Sequence, residues 1–321
     1  MELDTIYESV QEDLYKVEDR LRSVSKVDFP HLSELLDYSL KSSGKRIRPA
    51  LTLLAGKLYD YDLDYLLPMA AAVEVMHTAT LIHDDAIDHS PVRRGRPTVF
   101  KLWGEEKAVL LGDYLFAEAG ALIATTQNLR AIKLFASTLK TISSGELNQA
   151  FYAFNLEQSR PQYFQRVAQK TASLFSMAIE TAAALSQAPE ESIQILIEYG
   201  NNLGIAFQIV DDILDFIGTE EELGKPAGSD LAQGTLTLPA ILLLEHYPQE
   251  NPVERLFRSR DKPDNIKRAI ELVRNSSIVQ ECYQVASDYC AKACHNLELL
   301  PDNTSRQPLF ELADYIINRK R

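Results

Sequence analysis

The stretch "LIHDDAIDHSPVRRG", residues 81–95, sets Asp84, Asp85 and Asp88 and then Arg93 and Arg94 behind an apolar lead-in; "FQIVDDILDFIG", residues 207–218, repeats the aspartate spacing with Asp211, Asp212 and Asp215. In a helix, residues four apart lie one above the other, so the first and third aspartates of each triplet share a face and the second is rotated by about 100°. Like charges at that spacing destabilise an isolated helix, and two carboxylates about 6 Å apart repel by roughly 3 kcal/mol at an effective dielectric of about 20. A solvated acidic face would have polar neighbours. Here the neighbours are Leu81, Ile82 and Ile87 in one case and Phe207, Ile209, Val210, Ile213, Leu214 and Phe216 in the other. Two matched triplets inside apolar helices point to a cation site shared across a cavity.

Working outward, the periodicity predicts helices on both sides. Apolar residues recur at three- and four-residue intervals from Asp4 to Leu21. After a loop, "SSGKRIRPALTLLAGKLY" opens a second helix, with Pro49 tolerated in its first turn. Further helices are expected over 68–89, 108–126, 129–144, 146–154, 161–185, 190–216, 238–247, 263–275, 278–300 and 305–318, separated by Pro- and Gly-marked turns. Helices joined by short connections predict an all-α antiparallel assembly whose sites are built from side chains on facing helices. No fixed-period repeat and no linker divides the 321 residues, so a single domain over 1–321 is expected.

The formal charge of −13 excludes a nucleic-acid-binding surface, which needs clustered Lys and Arg. An anionic substrate must therefore be met by local cations or metal ions. The acidic, amphipathic N-terminus is no secretory signal, and no run approaches a membrane span of about 18 to 20 apolar residues. A soluble, cytoplasmic protein is expected. Cys282, Cys290 and Cys294 suit a reducing compartment and read as buried core thiols, although Cys290, Cys294 and His295 also lie at metal-ligand spacing.

Oxygen-only ligands favour hard ions, and Mg²⁺ commonly combines one or two carboxylates with substrate phosphates. Facing triplets can thus hold Mg²⁺ around one diphosphate, binding an anion through the metal. Basic residues supply a second grip. "GKRIRP" places Lys45 and Arg48 ahead of a helix start, where backbone N–H groups favour an anion. "RRGRP" places Arg93 and Arg94 after the first triplet, where guanidinium can bind phosphate oxygens in pairs.

These residues resemble the trans-isoprenyl diphosphate synthases, or polyprenyl synthetases. "GKRIRP", "HTATLIHDDAID", "RRGRPT", "GEL", "KTASLF", "FQIVDDILD" and "GKPAGSDL…TLP" match that family's landmarks in order from Gly44 to Pro239, and "YIINRKR" suits its basic C-terminal end. The resemblance implies an all-α antiparallel helical bundle of the isoprenoid synthase type around a central cavity, a homodimer, and three Mg²⁺ ions. It implies an allylic diphosphate at Asp84, Asp85, Asp88, Asp211, Asp212 and Asp215, assisted by Arg93. It implies isopentenyl diphosphate at Lys45, Arg48, His77 and Arg94, with Lys170, Thr171 and Gln208 beside the carbocation and Lys225 near the second triplet. The implied chemistry is Mg-dependent ionisation of the allylic C–O bond, attack by the alkene of isopentenyl diphosphate, and proton loss, lengthening the chain by five carbons. One departure is Thr235, at a place where many short-chain members carry lysine.

Short-product members of that family carry an aromatic plug four or five residues before the first triplet, where this chain has Thr80 and Ala79. Positions 76, 80, 84 and 88 form a helical stripe, so a tunnel past both Thr80 and Ala79 is expected. With a rise of about 5.4 Å per turn, the expected product is all-trans and about C30 to C50; narrowing at Met76 and Val73 would give C20 or C25. A transient membrane contact would serve release of a long product. The alternatives are a class I terpene cyclase, a His/Asp phosphohydrolase using His83, and a non-catalytic partner subunit. "GTEEELGK" misses phosphate-loop spacing by one residue.

Overall fold

The computed structural model describes residues 2–41, 44–219, 224, 226–259 and 262–319. In chain order its helices are α1 (Leu3–Tyr7), α2 (Gln11–Val24), α3 (Pro30–Leu40), α4 (Ile47–Gly56), α5 (Leu63–Ile87), α6 (Val99–Trp103), α7 (Glu105–Ala124), α8 (Leu129–Phe151), α9 (Arg160–Val167), α10 (Ser173–Leu185), α11 (Glu190–Ile217), α12 (Ser229–Ala232), α13 (Leu238–His246), α14 (Pro252–Ser259), α15 (Lys262–Arg274), α16 (Ile278–Glu298) and α17 (Gln307–Asn318). The only strand pairing among the described residues joins Val92–Arg93 to Arg96–Pro97, and these pairs bracket Arg94 and Gly95, both in the left-handed region. The expected all-α architecture is therefore present.

Local chemistry sets the helix starts. Asp62 accepts from Asp64 N at 2.9 Å and begins α5; Asn128 accepts from Ala131 N at 3.1 Å and begins α8. Such caps contribute about 1 kcal/mol each by satisfying amides that the helix leaves open. Four expectations need correction. The loop expected after Leu21 contains α3, whose first residue is Pro30, and the Pro-bounded stretch after Pro248 contains α14. Gly145 does not break α8, because its bare Cα lets Gln169 and Lys170 approach, and a Cβ there would sit 3.1 Å from each. Nor is the segment 161–185 one uniform helix: Ala168–Ala172 forms a π turn between α9 and α10.

Two apolar clusters form the interior, and α11 runs through both, with Leu196, Tyr199 and Leu203 in one and Ile209, Val210 and Ile213 in the other. Each fully buried Leu or Ile contributes about 1.5–3 kcal/mol through removal from water. The helix α11 packs along α16 and α10, and α5 packs along α7. Gly204 makes the α11 contact with the π turn close: a Cβ there would lie 2.5 Å from Ala172 Cα. By length and composition α5 is apolar enough to cross a membrane, which the sequence reading did not foresee; 72% of that window is buried inside the protein. It is the central core helix, carrying the first triplet on its last turn.

Candidate active site

The end of α5 presents its three aspartates differently. Asp85 faces inward and receives Arg93 Nε at 2.8 Å. Burial pushes its carboxyl up, opposed by Arg93. Asp88 is pushed up to about 6, by burial and then by Asp84. Neither Asp84 nor Asp88 has an ion pair or a side-chain hydrogen bond among the described residues. Their mutual repulsion is opposed only at a distance, by Lys170 and Arg93, among the described residues.

The second triplet does not copy the first. Asp212 is buried, accepting from Tyr163 Oη at 2.6 Å and from Gln208 Nε2 at 2.8 Å. Burial still pushes its carboxyl up to about 7. Asp215 accepts from Ser229 Oγ at 2.9 Å and from Asp230 N at 3.3 Å, at the start of α12. Only Asp211 is turned outward, and its Oδ1 meets Arg319 Nη2 at 2.7 Å. The six aspartates thus differ in their surroundings: the hydrogen bonds on Asp212 and Asp215 hold α9 and α12 against α11.

The π turn re-aims Lys170 and Thr171 relative to a regular helix, a device common at functional sites. Thr171 Oγ1 donates to Gln208 Oε1 at 2.6 Å, extending the chain of bonds to Asp212. Lys170 Nζ lies 2.6 Å from Glu146 Oε1 and donates to Gln149 Oε1 at 3.1 Å. Glu146 is pushed up to about 7, by burial and then by Asp84. Glu146, Gln149, Tyr163 and Arg319 were not singled out from sequence. The first two had a signal: in "GELNQ" they are three apart and so share a helix face.

The basic residues gather on the neighbouring side. Arg48 is half-buried, with its guanidinium 4.7 Å from the Phe175 ring and 5.7 Å from that of Phe207, and its Nε is buried without a partner. Desolvation pushes it down to about 10. His77 is held well below its ordinary value by burial and by Arg48, Arg94, Arg93 and Arg46, and stays neutral. Arg94 is also lowered by burial, against the attraction of Glu74. Lys45 lies 5.4 Å from the Tyr315 ring. Arg46, the middle arginine of "GKRIRP", instead clamps the fold: it pairs with Glu18 and, at 2.6 Å, with the buried Glu74, tying α2 to α5 and fixing the backbone between Lys45 and Arg48. Lys225 lies outside the described residues.

The two groups lie within electrostatic reach of each other. Asp211 acts electrostatically on Arg48 and Arg94, and Asp88 is influenced by Lys170 and by Asp230 beside Asp215. The triplets are therefore not on opposite exteriors. Among the described residues no three His, Cys, Asp or Glu side chains come close enough to cage a metal ion unaided. The rival sites do not assemble. His83 reaches Val109 O at 3.0 Å, His246 pairs with Glu281, and His295 turns to Glu298 rather than to cysteine. Cys282 and Cys290 are buried and Cys294 half-buried, all unbridged, their thiols pushed up by burial. Most of "GTEEELGK" lies outside the described residues.

The cavity face of α5 is accessible at Asp88, Asp84, Thr80 and His77, whereas Ala79, Met76 and Val73 are fully buried. The expected lane past Thr80 thus stops one turn deeper, at Met76.

A sequence model described as polyprenyl synthetase matches residues 29–273. The chain is 37% identical to heptaprenyl diphosphate synthase component 2 of Geobacillus stearothermophilus over 319 residues, covering 99% of each. It is 35% identical to the chloroplastic solanesyl diphosphate synthase 2 of Arabidopsis thaliana, covering 99% of this chain and 77% of that one. It superposes on the crystal structure of a decaprenyl diphosphate synthase from Rhodobacter capsulatus with a TM-score of 0.92 at 36% identity, covering 100% of both. A polyprenyl synthase from Caulobacter crescentus, complexed with calcium and isoprenyl diphosphate, gives a TM-score of 0.95 at 34% identity, covering 100% of this chain and 98% of that one.

Proposed function

Since the chain belongs to the polyprenyl synthetase family, we propose that it is a prenyltransferase that condenses an allylic diphosphate with isopentenyl diphosphate, head to tail, into a long all-trans polyprenyl diphosphate. The relatives named heptaprenyl, solanesyl and decaprenyl diphosphate synthases support a product of about C30 to C50. The observation that carries the reading is a charge pattern. Asp84 and Asp88 are carboxylates without an ion pair or side-chain hydrogen bond among the described residues, while Asp211 acts electrostatically on Arg48 and Arg94. An acid half needs cations and a basic half needs anions; two diphosphates with divalent ions meet both needs.

The donor set fits Mg²⁺. The ligands would be Asp84, Asp88 and Asp211, which supply the hard oxygens that ion prefers. Bound there, Mg²⁺ would supply Lewis-acid stabilisation of the charge that develops on the departing pyrophosphate. The remaining work belongs to the chain. Arg93 braces Asp85, and Lys170, held by Glu146 and Gln149, offers a cation beside Asp84 and Asp88. Arg48 and Arg94 bind the second diphosphate, where the orphaned Arg48 Nε–H gains an acceptor. Neutral His77 adds a hydrogen bond without a charge. Thr171 and Gln208 turn oxygen dipoles toward the carbocation. We read residues 1–321 as one domain, because α11 threads both cores.

The test is direct. Purified protein with Mg²⁺, labelled isopentenyl diphosphate and farnesyl or geranylgeranyl diphosphate should yield polyprenyl diphosphates of about C30 to C50 on chromatography, and none with chelator. Cyclic hydrocarbon formed without isopentenyl diphosphate would refute prenyl-chain elongation.

A further inference from the structure

Helix α17 ends at Asn318, and Arg319 follows with extended backbone, φ −69° and ψ 146°, which brings its side chain across α11. Arg319 Nη2 lies 2.7 Å from Asp211 Oδ1 and donates to Phe207 O at 2.7 Å. The guanidinium is 4.0 Å from the Phe207 ring centroid, and the side chain is 3% exposed. Its Nε is buried without a hydrogen-bond partner. An ordinary surface ion pair keeps both partners in water and contributes little. This arginine is covered, stacked, and set on the one aspartate of its triplet whose carboxylate no other described side chain engages.

Two features distinguish it from a permanent clamp such as Arg46. Arg46 bonds two carboxylates and a backbone carbonyl, whereas Arg319 leaves an N–H unsatisfied, an arrangement that burial penalises. Arg48 and Arg94 also act on the same site, so three cations crowd one carboxylate, and Arg319 itself lowers Arg48. A cation so placed is well located and incompletely bonded, and a more highly charged ion can replace it.

We propose that Arg319 is an internal counter-cation of Asp211, which closes the metal-free site and leaves when a divalent ion arrives with diphosphate. This rests on reading Asp211 as a metal-binding residue. Displacement exchanges one guanidinium for one divalent ion on Asp211 and uncovers one face of Phe207, which couples metal loading to release of the Arg319 side chain from α11. The weakening of metal affinity equals the inverse of the open fraction. If about one molecule in ten is open, removing Arg319 tightens metal binding about tenfold.

The probe is Mn²⁺ titrated in the presence of inorganic pyrophosphate, with bound ion read by electron paramagnetic resonance. Arg319→Met, which retains packing on Phe207, and Arg319→Gln, which retains a donor, are each expected to bind about tenfold more tightly than the wild type. Arg22→Met, remote on α2, should match the wild type. Equal affinity in wild type and both Arg319 variants overturns the counter-cation. Absence of Mn²⁺ binding in the wild type overturns the metal reading of Asp211 as well, so the two failures are distinct. A measurement without stability-altering variants follows the Arg319 Nε–H resonance in ¹⁵N-arginine-labelled wild type. It should exchange slowly in the free protein and vanish or shift with Mg²⁺ and pyrophosphate; persistence unchanged at saturation overturns the proposal.

Discussion

Asp88 carries the cost of the function in a measurable form. Its carboxyl is pushed up to about 6 in the folded chain, against an ordinary value near 3.9. Between those values the native state holds a proton that the unfolded chain has lost, so stability falls as pH rises from about 4 through 6. Asp212 and Glu146, each raised to about 7, act in the same direction. Asp88→Asn removes one share of that decline. At pH 7.5 the metal-free variant should be more stable by about 0.5 kcal/mol, the scale of a like-charge pair one turn apart, while prenyl transfer drops about 10²-fold or more. Urea melts at pH 4.5 and 7.5 beside turnover measure both; a variant no more stable than wild type at pH 7.5 would mean that Asp84 and Asp88 do not repel as described. The triplets themselves were legible in the sequence, because three acids in an apolar helix are anomalous wherever they occur. That Asp212 and Asp215 are bonded inward was not, because their partners Tyr163 and Ser229 arrive from other segments and only packing brings them to α11.

At the scale of elements, α5 and α11 were readable to within a few residues, since long apolar periods dominate their sequences. The π turn was not: apolar spacing is nearly the same for an α-helix and for an α-helix with one widened turn, and the widened turn sits where Gly204 and Gly145 from other helices allow close approach. The lane along α5 was half legible. Small residues before the triplet predicted an opening, and Thr80 is accessible, but Ala79 is in the core and Met76 ends the accessible stripe. Met76 is unbranched and adaptable, the kind of side chain that yields to an advancing chain. An aromatic ring at Thr80 blocks the approach to it. The depth lost from Thr80 to Val73 is about 10 Å at about 1.5 Å per residue, or about two isoprene units. Thr80→Phe is therefore expected to shorten the principal product by at least that amount. Ala79→Phe would mainly disturb packing, destabilising by about 1–3 kcal/mol. Chromatography of both variants' products decides the matter, and an unaltered distribution for Thr80→Phe would place the growing chain elsewhere than along α5.

For the whole molecule, an apolar face is left over once the cores are filled. Val109 and Leu110 on α7, with Leu129, Ile132, Leu147 and Phe151 on α8, are exposed, Leu110 at 60% and Phe151 at 85%. The helices α7 and α8 pack together, so these residues belong to one side, beside Ala117, Ala121 and Ala136, which are also exposed. Contiguous apolar patches on monomers rarely exceed a few hundred Å² and mark association. A chain with formal charge −13 opposes its own copies at long range, so self-association needs an apolar patch such as this one to outweigh that repulsion. A two-fold pairing of α7 and α8 with their copies uses the same surface twice and closes without exposing it again. The expected state is a homodimer. Sedimentation equilibrium should return twice the monomer mass, and a double variant, Leu110→Asp with Leu147→Asp, should return one monomer mass with the helical content unchanged. The relatives named component 2 of heptaprenyl diphosphate synthase define the opposing outcome. A wild-type chain that sediments as a monomer, and makes product only when a second, different chain is added, would assign this face to that chain instead of to a copy of itself.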